Sequence, residues 1–141
     1  MIFRDSYYDE TSGLSVSIVQ HLGKTFIGEA RLHPDDKNKA SKFAGCRLAE
    51  LRAEAKALKY EYNQAKIDSE ACRKVMIACT QTKAFDRESD TAKVLFHQVN
   101  IKIKKVNKIA DLYNDKLEEI QAYIRRRDVV TKAIEAKAKN S

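Results

Sequence analysis

The stretch AKVLFHQVNIKIKKVNKIADLYNDKLEEIQAYI, residues 92–124, decides the architecture. Its positions Ala92, Phe96, Val99, Ile103, Val106, Ala110, Tyr113, Leu117, Ile120 and Ile124 recur at alternating four- and three-residue steps. Arg127, Thr131, Ile134 and Ala138 extend the rhythm. A mean step of about 3.5 residues is the coiled-coil period, so the stretch predicts one long helix with a single apolar seam. An upstream run repeats the pattern at Ala44, Leu48, Leu51, Ala55, Leu58, Tyr62, Ala65, Ser69, Cys72, Met76 and Cys79. No proline follows Pro34, so nothing forces a break in either helix. The gap around Thr82 to Asp90 is just long enough to reverse the chain. The expectation is a long antiparallel helical hairpin, with a first helix over 37–81 and a second over 86–139.

Ahead of the helices the period changes from 3.5 to two. Leu14, Val16, Ile18 and Gln20 alternate with Ser15, Ser17 and Val19, which is a strand pattern. Thr25 to Leu32 reads as a second strand, and His21-Leu22-Gly23-Lys24 supplies a glycine where a tight hairpin needs positive φ. Ile2 to Tyr8 is a third strand, joined through Asp9-Glu10-Thr11-Ser12-Gly13. Three strands are the least that make such a sheet stable, and one end of the helices should cover it. Pro34 ends the sheet region, with Asp35 or Asp36 available to cap the first helix; Asp86 or Ser89 can cap the second. The fold class is therefore α+β: a small N-terminal antiparallel β-meander over 1–36, then the two long helices, as one domain.

The 141 residues carry a formal charge of +7, unevenly placed. Residues 1–43 hold six basic and six acidic side chains, whereas 44–141 hold 21 and 14. A basic helical surface points to an anionic partner, unless its lysines only keep the helices solvated. Cys46, Cys72 and Cys79 are odd in number and form no CxxC pair. Two of them sit on the seam, so buried reduced thiols in an intracellular, cytoplasmic setting are expected, with zinc or redox use the alternative. No signal peptide or membrane-length apolar run is seen, and no membrane partner is expected. Two helices leave Ile67, Val75, Ile77, Leu95, Ile101, Ile109 and Leu112 uncovered, which predicts pairing with further copies.

Two constellations carry binding chemistry. Antiparallel pairing that sets Cys79 near Ala92 brings Arg125, Arg126 and Arg127 level with the start of the first helix and Lys37, Lys39 and Lys42. Guanidinium forks and a positive helix end favour a phosphate there; the plainer alternative is a salt bridge from Arg127 to Asp35 or Asp36. At the opposite end Thr82, Lys83, Phe85, Arg87 and Phe96 surround the interhelical turn, with Arg73, His97 and Asn100 along the helices. An aromatic beside arginine stacks a base and holds its phosphate, or else Phe85 and Phe96 simply plug the hairpin. Lys102, Lys104, Lys105 and Lys108 form a run spread over more than one face, which leaves nucleic-acid contact open without favouring it. Catalytic and metal signatures are missing: no glycine-rich phosphate loop, no nucleophile elbow, and scattered His21, His33 and His97. The sequence argues for binding without turnover and without a cofactor.

One string resembles a known pattern. Gly28-x-Ala30-x-Leu32-x-Pro34-x-Asp36, followed by Gly45-x-x-x-Ala49-x-x-Arg52-Ala53, looks like a strand-to-helix junction common in small phage proteins. With two long helices appended, the architecture is similar to the Thoeris anti-defence sponge proteins of bacteriophages. The resemblance implies an immune-evasion protein that binds a cyclic ADP-ribose isomer, or a related cyclic oligonucleotide, without cleaving it. It implies pockets between subunits of a homo-oligomer (a dimer or a trimer of dimers) in the host-cell cytoplasm. In that setting Phe85 would stack on adenine, Asn100 would bond a ribose or base edge, and Arg87, Arg125 and Arg126 would hold the pyrophosphate, with Arg73 and Arg127 near. The alternative is a basic module that binds nucleic acid or blocks a protein.

Overall fold

The structure, a computed structural model, describes residues 2–31, 39–82 and 84–140, apart from the side chains of 2–4, 39–43, 127–131, 134, 135, 138 and 140. Strands β1 (Ile2–Asp9), β2 (Leu14–His21) and β3 (Lys24–Arg31) precede helices α1 (Lys39–Thr80) and α2 (Asp90–Asn140). The protein is α+β: a three-stranded antiparallel meander in the order β1-β2-β3, then two long helices. The aspartates expected to cap α1 and Lys37 lie outside the described residues, as do the side chains of Lys39 and Lys42. Ser89 caps α2, its Oγ accepting from the Ala92 amide at 3.2 Å. Ser89 in turn donates to the Asp86 carbonyl at 2.7 Å, so residues 86–89 form a turn and α2 starts later than the spacing suggested. No helix among the described residues is long and apolar enough to cross a membrane.

Two compact units are present, Met1–Ala57 with Asn114–Ser141, and Leu58–Tyr113. In the first, the sheet lies on α1 through an unusual choice of face. Alternation ordinarily turns the larger side chains of a strand inward, yet Ser15, Ser17 and Val19 are the fully buried ones on β2. Leu14, Val16 and Ile18 are only half-buried, and Tyr7 and Ile27 are exposed. The register explains this. Ser6, Ser17 and Gly28 form one row across the sheet, and Tyr8, Ser15 and Ala30 the next, so the inner face is mostly small.

The helix answers with small residues at the same spacing. Gly45, Ala49, Ala53 and Ala57 follow one another at i, i+4, and the three alanines are fully buried. A Cβ on Gly28 would overlap the Ala49 carbonyl oxygen and the Ala53 amide nitrogen, so strand backbone lies directly on helix backbone. The buried hydroxyls are accommodated within the same layer: Ser6 Oγ donates to Ser17 Oγ at 3.3 Å, and the Cys46 thiol to Ser15 Oγ at 3.9 Å. Arg52 and Lys56, one helical turn apart, donate to the carbonyls of Glu29 and Ile27, each at 2.7 Å. These two cations cap the outer edge of β3 and deny it to a pairing strand.

Helices α1 and α2 run antiparallel. Tyr123 donates to the Ala44 carbonyl at 3.1 Å, one helical turn from the Arg127 expected there, while Arg47 meets Glu119 and Glu54 meets Lys116. The seam of α1 is as its spacing predicts, with Leu48, Leu51, Ala55, Leu58 and Ala65 buried. That of α2 needs a correction. The positions turned inward are Val99, Lys102, Val106, Ile109, Tyr113, Lys116, Ile120 and Tyr123, so Ile109 is buried whereas Ile103 and Leu117 are exposed. From each of Val99, Val106 and Tyr113 a step of three or of four reaches the same side of a helix. At Val99 and Tyr113 the three-residue step carries a lysine paired with a carboxylate on α1. Leu95, expected bare, is half-buried; Ile67, Val75, Ile77, Ile101 and Leu112 are exposed as expected.

Two substitutions check this layer. Gly28→Ala should destabilise the protein by about 2–3 kcal/mol in urea unfolding, because only backbone stands in the way of the new methyl. At the β2–β3 turn both central residues are left-handed, Leu22 at φ 51° and Gly23 at φ 74°. Leucine has no reason to favour that conformation, and its side chain is 59% exposed. Leu22→Asn should therefore raise stability by about 0.5–1 kcal/mol on the same measurement.

Candidate functional site

A binding site for an anion must be built from cations that the fold does not already use. Several are used. Arg52 and Lys56 close the β3 edge, as above. Arg47, which donates to Glu50 at 2.9 Å and Glu119 at 3.1 Å, joins a chain that continues from Glu119 to Lys116 at 3.2 Å and from Lys116 to Glu54 at 2.8 Å. Lys102 donates to Asp68 at 2.6 Å on an open surface. That hydrogen bond and its charge raise the Lys102 pKa and lower that of Asp68. For Lys116 burial pulls the pKa down, but the hydrogen bonds and charges of Glu54 and Glu119 outweigh it and leave it raised.

Five arginines remain without an ion pair among the described residues: Arg31, Arg73, Arg87, Arg125 and Arg126, all exposed. The Arg127 side chain and Lys83 lie outside the described residues. Arg125 and Arg126 belong to the unit that holds the sheet. Arg73, Phe85, Arg87 and Asn100 belong to the other, built from the end of α1, the turn and the start of α2. Asn100 is exposed one residue beyond the buried Val99.

The described residues of the turn are hydrogen-bonded locally. The Thr82 amide and hydroxyl both donate to the Cys79 carbonyl, at 3.2 and 2.8 Å, and the Phe85 amide donates to the Thr82 carbonyl at 3.2 Å. Asp86 accepts from the Glu88 amide at 2.9 Å, so Arg87 projects from an ordered loop. The Phe85 ring stands edge-on to Phe96, with centroids 6.3 Å apart and planes at 89°. Such a T-shaped pair is favourable in itself and fixes the ring orientation. Both rings stay half-buried, leaving part of an aromatic surface open two residues from an unpaired guanidinium.

Among the described residues no group of three or more His, Cys, Asp or Glu side chains is placed to hold a metal ion. The three cysteines are free thiols, each half-buried. The junction string has a packing role: Gly28 and Ala30 on β3 and Gly45, Ala49, Arg52 and Ala53 on α1 form the sheet–helix contact. Sequence reasoning missed Arg52 and Lys56 as edge caps; their signal was two cations at i, i+4 beside the small-residue stripe. No known protein family, curated protein or solved structure matches this chain.

The paired lysines give a pH-dependent expectation. A raised folded pKa stabilises below the unfolded value, near 10.5, and the contribution is lost as pH rises through the folded value. Lys116→Met should cost about 1 kcal/mol at neutral pH, since Glu54 keeps only 18% of its side-chain surface, and water at the rim screens the rest. The difference from the wild-type protein should shrink above pH 10.5 in a melting series. Lys102→Met should lower the melting temperature less, because the Lys102–Asp68 pair is more exposed than the Lys116–Glu54 pair.

Proposed function

We propose that this protein captures a small cyclic nucleotide-derived signal, of the cyclic ADP-ribose or cyclic oligonucleotide class, and holds it without cleaving it. The observation that carries the reading is Phe85: its ring is held by Phe96, stays partly open, and lies in an ordered turn with the unpaired Arg87. A fixed aromatic plane supplies base stacking, and a guanidinium fork supplies the phosphate contact. Arg73 and Asn100 belong to the same unit and would complete the recognition of ribose and phosphate; Arg125 and Arg126 would serve a second anion contact. The excess of basic over acidic residues after residue 43 favours anionic ligands in general. The strand–helix string and the two appended helices, which resemble the phage Thoeris anti-defence sponges, support the same reading. On it, the protein works in the cytoplasm of a phage-infected cell as a homo-oligomer and is not an enzyme.

Capture and release tests it directly. Protein is mixed with cyclic ADP-ribose isomers or cyclic oligonucleotides and filtered, and the retained protein is then heat-denatured. The ligand should disappear from the filtrate and return intact after denaturation. Phe85→Ala and Arg87→Ala should each weaken retention about tenfold or more, provided both keep their helical circular dichroism. Ligand left in the filtrate contradicts the proposal. Tight, steeply salt-dependent binding of duplex or single-stranded nucleic acid in its place would establish the rival basic module.

A further inference from the structure

The unit formed by Leu58–Tyr113 buries one side of α1 and leaves a second apolar stripe bare. Ala65, Ser69, Cys72 and Met76 turn inward. Ile67, Ala71, Val75 and Ala78 recur at i, i+4, i+8 and i+11 on the solvent side. Ile67 is 61% exposed and Val75 55%, so two β-branched side chains meet water one turn to either side of an alanine. An apolar stripe of this spacing is a coiled-coil seam without its partner.

The residues around the stripe say which partner fits. The arrangement is self-complementary about Ala71. Glu70 and Lys74 lie on one flank of the stripe, both exposed, and neither forms an ion pair among the described residues. When two copies of this helix cross antiparallel on a two-fold axis through Ala71, Ile67 of each meets Val75 of the other. Residues on one flank then face residues on the same flank of the partner, so each Glu70 lies about 3 Å along the axis from a Lys74, within reach of both side chains, twice per interface. The alanine at the centre lets the helices approach closely, as an isologous contact needs at its axis.

We infer that the Ile67–Ala78 face of α1 is the site at which two copies of this chain pair antiparallel, with reciprocal Glu70–Lys74 ion pairs setting the register. The inference names a surface and a register for assembly and requires no ligand. It is measured in the absence of nucleotide, so it fails or holds separately from the capture reading.

Sedimentation equilibrium of the full chain tests it by charge reversal. The wild-type protein should associate. Glu70→Lys and Lys74→Glu should each weaken association about tenfold or more, since each replaces two attractive contacts by two repulsive ones. An equimolar mixture of the two variants should associate as well as the wild-type protein, because lysines of one then face glutamates of the other. The double variant E70K/K74E should recover association by the same geometry. Ile67→Ser with Val75→Ser should abolish it while helical circular dichroism is kept. A monomeric wild-type protein, association indifferent to the charge variants, or singles that weaken it with no recovery on mixing would each overturn the inference.

Discussion

The contact of the Gly28 backbone with α1 is the constraint from which the rest of the sheet-bearing unit follows. Hydrogen bonds within a strand leave no freedom to move one residue aside, and a helix backbone is as stiff. Where the two touch, the side chains nearest the contact must be small. Ser6, Ser15, Ser17 and Ala30 meet that demand on the sheet, and Gly45, Ala49, Ala53 and Ala57 on the helix. The serines are tolerated in a buried layer because each finds a partner there, and no buried side-chain polar atom among the described residues is left without one. Close approach also brings the β3 edge within reach of Arg52 and Lys56, which close it. The larger residues of β2 are displaced to the outer face by the same demand. Leu14, Val16 and Ile18, with Tyr7 and Ile27 beside them, form an apolar surface turned away from α1.

The helix pairing follows a different logic: at two steps of the α2 seam a lysine with a carboxylate partner on α1 lies inward of the isoleucine or leucine beside it. A seam of the a/d type fixes the helix face only to within a residue when positions three and four ahead are both acceptable. Lys102 and Lys116 occupy the three-residue steps from Val99 and Tyr113, and their partners Asp68 and Glu54 stand on α1. Ile103 and Leu117 lie at the rim. These ion pairs add little stability each.

Much of this was legible in the chain. The change of period from two to 3.5, the single proline and the glycine at residue 23 place three strands before two helices. The α1 seam was readable because its alternatives are charged or small. The α2 seam was not: Lys102 lies inward beside its partner Asp68, 34 residues away in sequence, where hydrophobicity alone favours Ile103. The inner face of β2 was equally hidden: a strand that alternates serine with valine and isoleucine gives no warning that the serines face inward. That fact belongs to the partner surface on α1. Among candidate site residues, the Phe85–Phe96 pair was legible as two aromatics flanking a turn. Which arginines stay unpaired depends on partners that only the fold supplies.

Native-state hydrogen exchange tests the central constraint most directly. If the sheet owes its stability to backbone contact with α1, the amides of Ser17 and Val19 must open together with those of Ala49 and Ala53. The account predicts one opening free energy and one denaturant dependence for all four. Exchange of the β2 amides through a separate, lower-energy opening, with α1 still protected, would contradict it.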